Sequence, residues 1–235
     1  MSYLRFYLGV GGLLLAGGCG LISSDVTDFD LTLPDKSFTI DATSWQIDST
    51  MTTAMLNMSC AAAPSVCDTA AQQACKMGCS GTCSMTTEHC DLKLAVSLYQ
   101  PVNLLMEKPD LKTVTDQTVL KVSIDNVTYE VTSNSLNVAT PKMLLFIAPM
   151  SVMDPNDPMA QEIGEIDPVQ AGATTSGPQP IMFTDTGKAD LQAIMATFKT
   201  PFNVIFGSTL EVTSGDPVPM GKLDAVVHIV AHAGL

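Results

Sequence analysis

The cysteines carry the most chemical information in the chain, which has seven. Six of them, Cys60, Cys67, Cys75, Cys79, Cys83 and Cys90, crowd into one stretch, and none follows. Successive members are separated by six, seven, three, three and six residues. No Cys-x-x-Cys occurs, so neither zinc-knuckle nor thioredoxin-like spacing is met. An even, compact set reads as three disulfides formed in an oxidising compartment. Six cysteines allow 15 connectivities, and spacing does not choose among them. The competing chemistry is a metal site in which Cys75 and Cys79 share a helical face with His89 close by. An oxidising compartment favours the bridges and leaves His89 as a surface residue.

Two further constellations could hold a cation. His228 and His232 are four apart, which on a helix would put both imidazoles on one face. Their neighbours Val226, Val227, Ile229 and Val230 favour a strand instead, where four residues span roughly 13 Å, too far for one ion. The acidic stretch 154–167 carries Asp154, Asn156, Asp157, Glu162, Glu165 and Asp167. Calcium takes six to eight oxygens, and Asp154, Asn156 and Asp157 are its candidate ligands. The stretch lacks the glycine punctuation of an EF-hand loop, and Pro155 and Pro158 stiffen it, so a solvated loop is the expectation. Asp28 and Asp30 share a strand face and read as wet surface rather than a catalytic pair. No Gly-x-Ser-x-Gly and no glycine-rich phosphate loop occurs. The three histidines have no partner set for nucleophilic catalysis. The expectation is a non-enzymatic protein without a cofactor.

Composition narrows the partners. The 235 residues are 46% hydrophobic and 15% charged, ample for a core and too apolar for a disordered chain. The formal net charge is −13, and Arg5 is the sole arginine. Such a surface is poorly equipped to grip phosphates, so nucleic acid is a poor partner. Anionic membrane surfaces would also repel it.

The N-terminus supplies an address. Met1 to Arg5 carries one positive charge, Phe6 to Ala16 is apolar and leucine-rich, and small residues follow. These are the parts of a secretory signal, and the apolar run is too short to span a bilayer. Leu14-Leu15-Ala16-Gly17-Gly18-Cys19 resembles a bacterial lipoprotein lipobox, with Ala16 where leucine is usual. The resemblance covers about the first twenty residues. It implies cleavage between Gly18 and Cys19, diacylation of the Cys19 sulfur and attachment to the cell envelope through the lipid. Two or more acyl chains hold firmly where one does not. For a Gram-negative host, Gly20, in place of the aspartate that retains lipoproteins at the inner membrane, makes the resemblance lean toward the outer membrane. The expected organisation is a signal peptide over 1–18, a lipidated linker over 19–25 and one domain over 26–235, with a cysteine-rich insertion at 60–90.

The elements that would position these residues are mostly strands. Phe29, Leu31 and Leu33 alternate with polar residues, as do Phe38 and Ile40, which predicts two strands that pair as a hairpin around Pro34-Asp35-Lys36. Asp68 to Met77 suits a helix started near Ser65 and ended at Gly78. Leu92 to Leu98 alternates strictly. Leu120 to Ile124 and Val127 to Val131 alternate on either side of Asp125-Asn126, predicting a hairpin turn there, and Leu136 and Val138 continue the style. Met143 to Ile147 is continuously apolar and suits a strand buried on both faces. Residues 149–180 read as one long acidic loop. Leu191, Ile194, Met195 and Phe198 follow helical spacing up to Pro201. Phe202, Val204 and Phe206 alternate, as do Leu210 and Val212, and Leu223 to Ala231 reads as a last strand. The fold class predicted is mainly β: an antiparallel β-sandwich with a disulfide-stapled helical insertion and one surface helix. Its predicted role is a structural or binding module engaging an envelope protein or glycan.

Overall fold

The computed structural model describes residues 29–114, 116 and 120–234. The segment expected to be a signal peptide (1–18), the lipobox-like stretch with Cys19, the expected linker over 19–25 and Asp28 lie outside the described residues. No helix among the described residues is long and apolar enough to cross a membrane.

Two antiparallel sheets face each other. The first contains β1 (Phe29–Asp30), β2 (Lys36–Asp41), β5 (Lys121–Asn134), β8 (Gln179–Pro180) and β11 (Lys222–Gly234). Its order is β1-β11-β5-β8, and β2 also pairs with β11. The second runs β3-β4-β10-β6-β7-β9, formed by Cys79–Cys83, Cys90–Val102, Phe202–Val212, Met143–Pro149, Gln161–Ile166 and Met182–Phe183 in that spatial order. Alternate residues of each strand point inward, as the period of two requires. Phe38 of the first sheet stacks on Phe206 of the second, ring centroids 5.3 Å apart, at the middle of one continuous core. This is the mainly β sandwich that the alternation predicts.

Four α-helices lie among the described residues: α1 (Ser49–Leu56), α2 (Val66–Ala74), α3 (Leu104–Glu107) and α4 (Gly187–Ala196). Helix α4 is the predicted surface helix and packs against β5 and β7. Near α3, Lys36 and Glu107 form a partly buried ion pair at 2.8 Å that ties the start of β2 to the helix.

The insertion is stapled as expected. The bridges are Cys60–Cys83, Cys67–Cys90 and Cys75–Cys79. Two of them fasten α2 and the connection between α1 and α2 onto the β3–β4 hairpin, and Cys60, Cys67 and Cys90 are fully buried in the main core. Trp45, also buried, donates its indole N–H to the carbonyl of Ala95 at 2.9 Å and closes the core beside the insertion.

Four local expectations are corrected. β1 and β2 do not form a hairpin: each pairs with β11, whose length serves both. Asp125-Asn126 is not a turn, because β5 runs straight through it. The inward positions change phase there, from Val122 and Ile124 to Val127, Tyr129 and Val131, and a register shift against β11 between Val230 and Ala231 absorbs the change. A β-bulge and a turn leave the same break in alternation. The stretch 149–180 is not one loop, because Gln161–Ile166 forms β7 against β6. Finally, α2 starts at the predicted place, but the Ser65 side chain makes no capping bond. The better cap is on the unpredicted α1, where Asp48 accepts from the backbone N–H groups of Thr50 and Met51 at 2.9 Å each.

Candidate functional site

The outward face of the second sheet carries a concavity beside Asp154 and Asn156, two of the residues singled out by sequence. On β6, Met143, Leu145 and Ile147 point into the main core, while Phe146 and Ala148 point outward yet are also buried. With Val152 and Ile205 they make a second, smaller apolar cluster beneath the segment 150–160. The two-faced burial read from the apolar run is therefore real, and this segment is the cover for the outer side.

The segment is held down by named contacts. Asn203 of β10, almost fully buried, donates its amide N–H groups to the carbonyls of Val152 at 2.7 Å and Met150 at 3.1 Å. Ser97 of β4 donates its hydroxyl to the carbonyl of Met153 at 3.3 Å. Gly207 lets Pro155 approach the sheet, since a Cβ at this position would lie 2.6 Å from the Pro155 Cβ. Asp154 turns back on its own loop, its Oδ1 accepting from the Asn156 backbone N–H at 2.9 Å and side-chain amide at 3.0 Å. Asp157 likewise accepts from the N–H of Met159 at 2.8 Å.

Between this clamped segment and the sheet lies a groove of about 450 Å³. Leu144, Phe146, Ala95 and Gly207 provide apolar surface, and Ser97, Ser208, Thr209, Lys142, Asp154 and Asn156 provide polar groups. Lys142 contacts Glu165 at 2.6 Å, and the hydrogen bond to that carboxylate holds its ammonium above the usual lysine range. Hydroxyls, a carboxamide and one charge of each sign beside an aromatic ring can bind a polar ligand that has an apolar face.

The other predicted site residues are placed as follows. Glu162 and Glu165 stand on β7, not in a loop. His228 and His232 lie along β11, each beside its own aspartate: His228 Nδ1 is 2.7 Å from Asp35 and His232 Nδ1 is 3.0 Å from Asp125. The strand separates them as the spacing argument requires. Asp30 accepts from the Thr32 N–H and from Lys108, and its carboxyl is lowered to about 2, chiefly by the hydrogen bonds from Thr32. Among the described residues, one group of three His, Cys, Asp or Glu ligand atoms falls within 4.8 Å: the sulfurs of Cys60, Cys67 and Cys83, all of them bridged. The carboxylates of the acidic stretch do not gather in that way.

Sequence reasoning missed Ser97, Lys142, Phe146, Gly207 and Thr209. The alternation on β4 marks Ala95 and Ser97 as outward-facing, but only the β4-β10-β6 pairing makes them neighbours of Leu144 and Thr209. The one available signal was the apolar Met143–Ile147 run, which demands a cover on its second face. No protein-family model matches the chain, and no curated protein matches it.

Proposed function

We propose that this protein is an exported, lipid-anchored, non-enzymatic binding module of the cell envelope, and that it holds its ligand in the groove beneath residues 150–160. The N-terminal features support the address: a charged start, a short apolar run and Cys19 in a lipobox-like setting. Three disulfides support an oxidising compartment. In a Gram-negative host, Gly20 after the lipobox-like cysteine supports an anchor in the outer membrane in this reading.

One observation carries the binding role. A loop fastened by Asn203, Ser97 and the Gly207–Pro155 contact forms a preformed groove on an otherwise regular sheet face. Preorganised concavities cost little to order on binding. The test is to screen the mature protein in detergent against envelope glycans and peptides, with Thr209→Trp as the variant. Thr209 is exposed and lines the groove, so the indole fills it without entering the core. The expected result is capture by the parent and at least about a tenfold loss in the variant, about 1.4 kcal/mol. Equal capture by both would remove the groove from the reading. Intact-mass measurement of the same material tests the anchor through acyl groups on Cys19 and loss of residues 1–18.

A second reading, a calcium-dependent glycan-binding or adhesion module, is favoured by the position of Asp154 and Asn156 on the groove wall. In that reading Asp154, Asn156 and Asp157 supply oxygens to the ion. Calcium should then raise the melting temperature, and an unchanged melting temperature eliminates it.

A further inference from the structure

Methionine is ordinarily among the residues most often buried. In this protein the distribution is inverted. The chain has 14 methionines. Of the thirteen among the described residues, ten are at least 36% exposed: Met51, Met58, Met77, Met85, Met106, Met150, Met153, Met159, Met182 and Met220, with Met85 at 90%. Met55, Met143 and Met195 are at most 1% exposed and sit in the main core.

The exposed set occupies positions where a change of polarity costs little packing. Met58, Met77, Met85, Met150, Met153, Met159 and Met220 lie outside helices and strands. The six described cysteines are all bridged, so no free thiol competes among the described residues. The accessible thioethers are therefore the softest nucleophiles on the described surface, and oxidation of methionine follows exposure.

We propose that this surface is an oxidant sink whose substrates are two-electron oxidants of the hydroperoxide class. A thioether lone pair attacks the outer oxygen of the peroxide, and the S–O bond forms as the O–O bond breaks. Sulfur is oxidised by two electrons to the sulfoxide. The peroxide is reduced to an alkoxide or hydroxide, which takes the proton carried by the transferred oxygen and leaves as alcohol or water. Each exposed methionine consumes one oxidant molecule. The buried three are shielded, so the core persists while the surface is spent.

The experiment is a hydrogen peroxide titration of the full chain, followed by peptide mapping and near-ultraviolet circular dichroism. The ten exposed methionines should each gain one oxygen, while Met55, Met143 and Met195 stay reduced and the dichroism of the folded protein is retained. Uptake confined to a few sites, reaction of the core methionines alongside the surface ones, or loss of the folded signal during surface oxidation would overturn the proposal. A second measurement tests the sink itself. A methionine-containing reporter peptide is challenged with limiting peroxide beside the protein or beside a variant carrying Met77→Leu, Met85→Leu, Met106→Leu and Met220→Leu. None of these four lines the groove, so the result is independent of ligand binding. The variant should protect the reporter less, in proportion to the thioethers removed, and equal protection by the two proteins refutes the sink.

Discussion

Single side chains in this protein respond differently to pH according to what surrounds the charge. Asp91 is buried, its Oδ1 has no hydrogen-bond partner, and its carboxyl is pushed above the usual aspartate range by burial first and by Glu211 second. A carboxyl raised in the folded state adds stability while protonated and loses it as pH rises through the folded value. Asp91→Asn should therefore raise the melting temperature at pH 7 and leave it nearly unchanged at pH 3, as followed by thermal denaturation. A variant no more stable at pH 7 would mean that the charge is already compensated. Asp30 has the opposite sign. Its carboxyl, lowered to about 2 from 3.8, contributes stability above about pH 4 that is lost as pH falls toward 2. Its side chain is 69% exposed, so Asp30→Asn should cost under about 1 kcal/mol at pH 7 and less at pH 2.

At the scale of elements, the loop 150–160 and the cysteine-rich insertion are held by different means. The loop depends on polar contacts from β10, and Asn203→Ala strands the Met150 and Val152 carbonyls over a buried cluster. Loss of such a partner costs about 1–3 kcal/mol. Hydrogen exchange should show the Val152 N–H, bonded to Pro149, losing protection while β4 and β10 keep theirs. Equal protection in the variant would mean that Val152 and Pro155 packing suffices. The insertion depends on covalent closure. Cys60–Cys83 and Cys67–Cys90 each span 23 residues, while Cys75–Cys79 spans 4. Chain entropy assigns about 3 kcal/mol to each long bridge and about 2 to the short one. Paired Cys→Ala variants should follow that order in chemical denaturation, with Cys67–Cys90 costing more than Cys75–Cys79.

For the whole molecule the decisive fact is that the insertion and the sandwich share the main core. Leu31, the bridged Cys60 and Cys67, Phe206 and Ala233 belong to the same buried cluster, so the insertion shares its apolar surface with the sandwich. Such a molecule should unfold in one calorimetric transition with equal calorimetric and van 't Hoff enthalpies. A separate early transition for residues 60–90 would contradict this. The overall acidity adds a second expectation. With a net charge of −13, self-repulsion opposes the compact state, and raising salt from 0.01 to 0.15 M should raise the melting temperature by screening it.

The chain's own pattern determined the period-two strands, the surface helix near 188–199, the pairing of six cysteines as a set and the strand that separates His228 from His232. Each rests on spacing between near neighbours, where backbone geometry leaves few choices. Partner choice was decided only by the tertiary structure: β1 and β2 against β11, β7 against β6, and which cysteine meets which. Asp125-Asn126 shows the reason. A break in alternation is local, but whether it becomes a turn or a bulge depends on β11 being present to continue the ladder. The groove has the same origin. Its walls come from β4, β6, β10 and the loop after β6, which are far apart along the chain and meet because burying Phe146, Ala148, Val152 and Ile205 together removes apolar surface from water.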